Sequence, residues 1–418
     1  MKFYPEMKPA NSPWLGGMPT HWELSRFRYE AVINGGQVDP RKEPWCGMTL
    51  IAPNHIESST GRIIGVETAE EQGADSGKYP VRQGQIVYSK IRPALNKAAI
   101  AETQALCSAD MYAMSFGSRI ESRFALYYIL ARPFRTFVTV ISLRVKMPKV
   151  NREDLADAPW LVPPMDEQCA IADYLDRETS RIDTLIEEQL RLIEMLRERR
   201  TAVISSALAP TDSWIRRRIK HIGETSLGKM LDAGRAVRDG DQSRPYVRAA
   251  DVRADGSVNL LDLNEMPFSG AEMEVFDLRA GDVLLIEGGA TVGRPGFMYE
   301  SAPGIAFQKT VNRLRVKSQV DPRFVYWSML RLYESAYYAN HYGSVSFVHL
   351  TGEKLREIEL HLPSLDEQRA VAAYLDEQTA KTDALIIETE KFIELARERR
   401  AALITATVTG QVDVRGTV

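Results

Sequence analysis

The sequence predicts an α+β protein with a pseudo-twofold internal repeat, in which two mixed α/β heads are separated and joined by two long coiled-coil-like helices. Three observations predict it. A block recurs at an offset of 200 residues, so that 22 of 42 positions from 163 to 204 match 363 to 404 without a gap. Each copy sits in a 45-residue stretch free of proline and glycine. The segments between the copies carry short strand-like runs broken by glycine, aspartate and asparagine. Internal repeats of this kind fix architecture before any local reading does.

The first head spans 1–162. Its strand-like runs include Gln85–Tyr88, its one clear helix covers 122–131, and a strand-like approach, 155–162, leads out of it. The central helix follows over 163–209, after Pro163-Pro164, with Asp166 as the N-cap candidate and Pro210 as the stop. The second head spans 210–362, with a run at Asp282–Ile286, a helix at 322–333 and an approach at 355–362. The C-terminal helix covers 363–410, begins beside Asp366 and stops at Gly410, leaving a tail at 411–418. Apolar residues in the helices alternate steps of three and four, the pattern of a packing seam. Leu175, Ile182, Leu185, Ile186 and Ile193 in the first copy, and Leu385, Ile386 and Ile393 in the second, are the expected helix-pair contacts. Neither helix can bury such a stripe alone, so each is the natural partner of the other.

Composition narrows the function. Of 418 residues, 44% are hydrophobic and 26% charged, the balance of a folded protein with real cores. Three cysteines without a CxxC pair argue against a disulfide scaffold or zinc ribbon and for a reducing, cytoplasmic location. The longest apolar run, Phe124–Ala131, is far short of the roughly 20 residues a bilayer requires. A net charge of −3 means that any nucleic-acid surface must be local.

Motifs for catalysis are missing from the sequence. His-Glu-x-x-His, Gly-x-Ser-x-Gly and paired-cysteine metal spacings do not occur, and no catalytic or metal residue is expected. Gly223–Met230 nearly fits a P-loop, but Met230 stands where a hydroxyl must hold magnesium. Gly288–Arg294 is glycine-rich and fits either a hairpin turn or a close approach to phosphate. Charge patterning says more. Residues 76–101, 122–152 and 301–320 contain no acid, while 335–352 is uncharged and rich in Tyr, Ser, Asn and His. Such stretches, similarly placed in both heads, point to a polyanion surface. A purely structural coiled-coil scaffold explains the helices but not these stretches.

The chain resembles the specificity subunits of type I restriction-modification systems. The resemblance covers essentially the whole sequence. It rests on the paired Pro-x-x-Asp-Glu-Gln starts, the Tyr-Leu-Asp elements at 174–176 and 374–376, and the Arg-Glu-Arg-Arg elements at 197–200 and 397–400. Trp14-Leu15-Gly16 with Pro19-x-His21-Trp22-Glu23, Tyr88–Pro93 and Gly281–Leu284 add to it, although the second head has no counterpart of Trp14–Pro19. The resemblance implies a non-catalytic protein whose heads are target-recognition domains. Each would read one half of a split, asymmetric double-stranded DNA target, and the antiparallel helices would set the spacer. It also implies two docked methyltransferase subunits, and leaves open a restriction subunit. S-adenosylmethionine and ATP with magnesium would then act on those partners, with no cofactor in this chain and no membrane association. The expected DNA contacts are Lys90, Arg92, Asn96, Lys97, Arg144, Lys146 and Lys149 in the first head, and Arg294, Lys309, Ser344, Ser346 and His349 in the second.

Overall fold

The computed structural model describes residues 2–143, 148–230, 240–342 and 349–416. It divides into two units, Met1–Leu190 with Glu390–Val418, and Arg191–Thr389. Each unit holds one head, part of the central helix Met165–Ala207 and part of the C-terminal helix Leu365–Val408.

In the first unit, an antiparallel sheet has the order Ala31–Ile33, Met111–Phe116, Ile86–Ser89, Ala98–Ile100. Every residue of Ile86–Ser89 is buried, because both faces of the strand are covered; its continuous apolar run therefore reads without alternation. A second, mixed sheet pairs Ala105–Cys107 in parallel with Thr49–Ile51. Helix Ser122–Leu130 starts where the Glu121 carboxylate accepts a hydrogen bond from the Phe124 amide at 2.6 Å. Trp160, fully buried, anchors the core, its ring centroid 4.5 Å from Tyr128 and 5.2 Å from Phe116.

The second unit repeats this frame. Its antiparallel sheet has the order Gly223–Leu227, Val311–Val316, Val283–Ile286, Pro295–Phe297. A smaller sheet pairs Gln242–Val247 in parallel with Ala306–Phe307. Helix Pro322–Glu334 is capped by Asp321, which accepts from the Phe324 amide at 2.8 Å. The near-P-loop segment is simply the edge strand Gly223–Leu227 of this sheet, paired antiparallel with Val311–Val316, so it forms no phosphate cradle.

The expected strand-like approaches 155–162 and 355–362 end in strands, and begin in the last residues of short helical turns. Arg152–Ala156 and Gly352–Glu357 form single turns before the strands Pro159–Val162 and Glu359–Leu362. The cause is local capping. The Asp154 carboxylate accepts from the Asn151 amide, and the Thr351 hydroxyl accepts from the Lys354 amide.

The repeated motifs turn out to be clasps between helix and head. Gln168 and Gln368, both buried, accept from the amides of Glu121 and Asp321 at 2.9 Å, and donate to the carbonyls of Pro163 and Pro363. Asp176 accepts from Arg123 and Tyr127, and Asp376 from Arg323 and Trp327. Glu167 accepts from the Trp22 indole at 3.0 Å, and Glu367 from the Trp214 indole at 3.1 Å. In the first unit, Asp183 takes a two-point contact from Arg400, at 2.8 and 3.2 Å. In the second, Asp383 pairs with Arg200 at 3.1 Å. Chain numbering runs in opposite directions within the first unit, since Glu167 meets Arg415 while Asp183 meets Arg400. The helices are antiparallel there.

Leu175, Ile182, Ile186, Ile193 and Ile393 are buried as expected, and Ile386 is half-buried. Leu185 and Leu385 are not: they are 38% and 49% exposed. Successive residues on a helix lie about 100° apart, so where Ile186 is buried its neighbour Leu185 turns toward solvent. The C-terminal helix ends at Gly410 (φ +71°), where the Gln411 amide reaches back to the Ala406 carbonyl at 2.8 Å. A β-carbon at Gly410 would collide with Pro19, so glycine is required twice over.

Candidate nucleic-acid interface

In the first head, the chain leaving strand Ile86–Ser89 pairs with the chain entering the Arg152 turn. Ile91 bridges Lys149, the Val150 amide donates to the Lys90 carbonyl at 2.8 Å, and the Arg92 amide to the Pro148 carbonyl at 2.9 Å. Lys90, Arg92 and Lys149 are thereby gathered at one tip. The Lys90 ammonium lies 5.5 Å from the Tyr112 ring centroid, and Arg152, not among the expected contacts, lies 5.7 Å from the same ring. Arg92 and Lys149 are exposed.

The second head builds the same tip with other residues. Gly288 bridges His349, and the Leu350 amide donates to the Glu287 carbonyl at 2.7 Å. Glu287 stands where the first head has Lys90. Its carboxylate lies 3.2 Å from Nδ1 of His349, which is 53% exposed. The Lys354 ammonium donates to the His349 carbonyl and lies 5.3 Å from the Tyr342 ring centroid. Lys309 is exposed beside this tip's frame, its amide bonded to the Lys229 carbonyl.

Other expected contacts have internal duties. Asn96 is 2% exposed, and its amide donates to the carbonyl of Leu130 at 2.9 Å and to Ser59 Oγ at 3.2 Å. Lys97 donates to the Pro53 carbonyl at 2.6 Å, and Arg294 to the Val252 carbonyl at 2.7 Å. Asn96 is buried by this role and offers no surface contact, whereas Lys97 and Arg294 stay half-buried; each of the three caps a backbone carbonyl at a turn. Arg144, Lys146, Ser344 and Ser346 lie outside the described residues.

The acid-free stretches are less cationic in space than in sequence. Arg315 makes a two-point contact with Asp282, both bonds 2.7 Å, and Arg313 donates to the carbonyls of Val275 and Asp277. Hydrogen bonding to Asp282 raises the pKa of Arg315, while burial lowers that of Arg313. Arg123 is spent on Glu121, Asp173 and Asp176. Among the described residues, exposed cations remain at each tip, and Arg82, Arg132, Arg135 and Lys317 stay exposed elsewhere on the heads. Among the described residues, no cluster of His, Cys, Asp and Glu is fit to hold a metal.

Comparison with known proteins bears on what such tips are for. The model of the type I restriction modification DNA specificity domain matches twice, over residues 27–195 and 212–395. The chain belongs to this family. Its two copies of the domain correspond to the two heads, each continued into a long helix. The type I restriction enzyme EcoDI specificity subunit of Escherichia coli is 36% identical over 184 residues, which is 44% of this chain and 40% of that relative. The matched stretch thus spans under half the length of the curated relative. A solved structure described as the basis of complex assembly and conformational transition of the type I R-M system superposes with a TM-score of 0.78, at 17% identity, covering 94% of this chain and 99% of the other. The crystal structure of the HsdS subunit from Thermoanaerobacter tengcongensis gives a TM-score of 0.55, also at 17% identity, covering 94% and 98%. At that identity, the likeness establishes a shared fold.

Proposed function

We propose that this specificity-domain protein is the DNA-reading subunit of a type I restriction-modification assembly and carries out no chemistry itself. The observation that carries the reading is one tip built twice on the same frame from different side chains: Lys90, Arg92 and Lys149 in one head, Glu287, Gly289 and His349 in the other. Identical frames deliver two loops to DNA in the same manner, while the different side chains they carry let the two heads meet different half-sites. The target is then split and asymmetric, one half per head, with the antiparallel helices setting the spacer.

Exposed apolar side chains on the long helices, among them Leu185, Leu190 and Met195 on one and Ile387, Phe392 and Leu395 on the other, supply docking area for methyltransferase subunits, one to each domain repeat. S-adenosylmethionine belongs to those partners, and ATP with magnesium to a restriction subunit where the assembly has one. The site of action is the cytoplasm; no single described helix is long and apolar enough to cross a membrane.

The test is to express the chain with its methyltransferase in a host lacking both and to map modified adenines across the genome. Two short, different half-motifs around a fixed gap are expected. Exchanging one head for that of another such subunit should change one half only. Unmodified DNA from a demonstrably assembled complex would remove the specificity role and leave a scaffold.

A further inference from the structure

Arg92 occupies a position where its backbone is strained. The turn Arg92–Asn96 encloses one short helical turn, Pro93–Leu95, between two left-handed residues, Arg92 (φ 47°, ψ 56°) and Asn96 (φ 50°, ψ 53°). The second head makes the corresponding turn with glycine at both places, Gly289 (φ +90°) and Gly293 (φ +79°). Glycine adopts such a conformation freely, asparagine tolerates it, and arginine is disfavoured there. Asn96 has an evident reason to be present, since its buried amide caps Leu130 and Ser59. Arg92 has none inside the head. It is exposed, its guanidinium meets no acid or acceptor among the described residues, and it lies beside Lys90 and Lys149 at the tip. Backbone strain of this kind clusters at ligand-contacting positions.

We propose that Arg92 grips a phosphate of the DNA backbone, a contact the second head makes without a side chain. This rests on the reading of the heads as DNA-binding. The turn holds the same place in both heads, and what two different half-targets have in common is backbone rather than sequence. The flanking cations Lys90 and Lys149 also favour a phosphate, whose charge attracts them whatever the sequence. At Gly289 a β-carbon would meet nothing within 4 Å, so the bare turn of the second head is free to approach the duplex through its backbone.

The experiment uses the complete methyltransferase complex and a labelled duplex carrying the mapped target, with a second duplex in which the first half-site is scrambled. Wild-type binding comes first, and its absence on both duplexes would sink the DNA-reading function itself. Given binding, R92G and R92N should weaken both duplexes by the same factor. Each should also flatten the salt dependence by about 0.9 in log–log slope, which makes the loss between 50 and 200 mM salt about 3.5-fold smaller. R92K should retain most of the slope. R92G should melt at the same temperature as wild type or higher, because the strain is relieved. Unchanged affinity and slope would overturn the proposal. So would a loss confined to the cognate half-site, which would make Arg92 a base reader, and a lowered melting temperature in R92G would overturn the strain argument.

Discussion

The two heads share a frame and differ in how they fill it. Strand Met111–Phe116 of the first matches Val311–Val316 of the second, and the Glu121 cap matches the Asp321 cap. The glutamine, glutamate and aspartate clasps to the long helices recur at equivalent positions, with Trp327 donating where the first head has Tyr127. At the tip the pattern breaks, with Lys90, Arg92 and Lys149 opposite Glu287, Gly289 and His349. The core breaks too, since fully buried Trp160 corresponds to Leu360. What is held constant is the orientation of each head on its helix. What varies is the surface presented and the packing that tolerates the variation.

The largest test of this contrast is in the core. Trp160→Ala should cost about 4 kcal/mol in urea unfolding followed by tryptophan fluorescence, because it empties an aromatic cluster of Phe27, Phe116, Tyr128 and Phe134. Leu360→Ala should cost about 2 to 3 kcal/mol, as a smaller side chain leaves a smaller cavity. Trp160→Phe should cost far less, since the Trp160 indole nitrogen is buried without a partner.

The helix clasps come next. Arg400 is nearly buried and also donates to the carbonyls of Ser59 and Thr60, whereas the partner of Arg200 across the helices, Asp383, is 48% exposed on its side chain. Arg400→Ala is therefore expected to destabilise by about 3 kcal/mol, near the range for breaking a buried pair. Arg200 also pairs with half-buried Glu334 at 3.1 Å, so Arg200→Ala should lose about 2 kcal/mol, between a surface pair and a buried one. Equal losses would mean that the two units are held equally tightly.

Gln168→Ala and Gln368→Ala probe what does not differ. Each orphans a helix-start amide and a proline carbonyl, and each should cost about 2 kcal/mol in the same assay. A clear inequality would break the shared frame. The smallest effects lie at the surface: Lys149→Ala and Lys309→Ala should leave stability unchanged while lowering the salt slope of DNA binding by about 0.9 each. A change in slope from only one of them would assign phosphate contact to a single head.

Much of this was legible in the sequence. The duplication announced two heads and two helices, since residues that repeat without a gap over 42 positions must meet the same surroundings. The structure supplies those surroundings. Glu167 and Gln168 are motif residues because a carboxylate and an amide there complete the head, not because they touch a ligand. The acid-free stretches were a weaker guide. Asp282 lies outside the run at 301–320, yet it neutralises Arg315 across a strand pair, and Asp176 does the same for Arg123 from the long helix. Arg152 closes the acid-free run 122–152 without being among the expected contacts, although in space it shares the Tyr112 ring with Lys90.

The sequence by itself determined the repeat, the two long helices, the burial of stripe positions such as Leu175 and Ile193, and the absence of familiar catalytic motifs from the chain. Periodicity and repetition are properties of neighbours along the chain, and a helix obeys them directly. Only the tertiary structure decided which cations are spent. Whether Lys97, Arg294 and Arg315 face solvent or a carbonyl or carboxylate depends on groups tens of residues away. It also decided that Leu185 turns outward beside Ile186, and that Arg92 sits in a left-handed turn where glycine would suffice. Such choices are settled by through-space contact and backbone torsion, which the order of residues does not display.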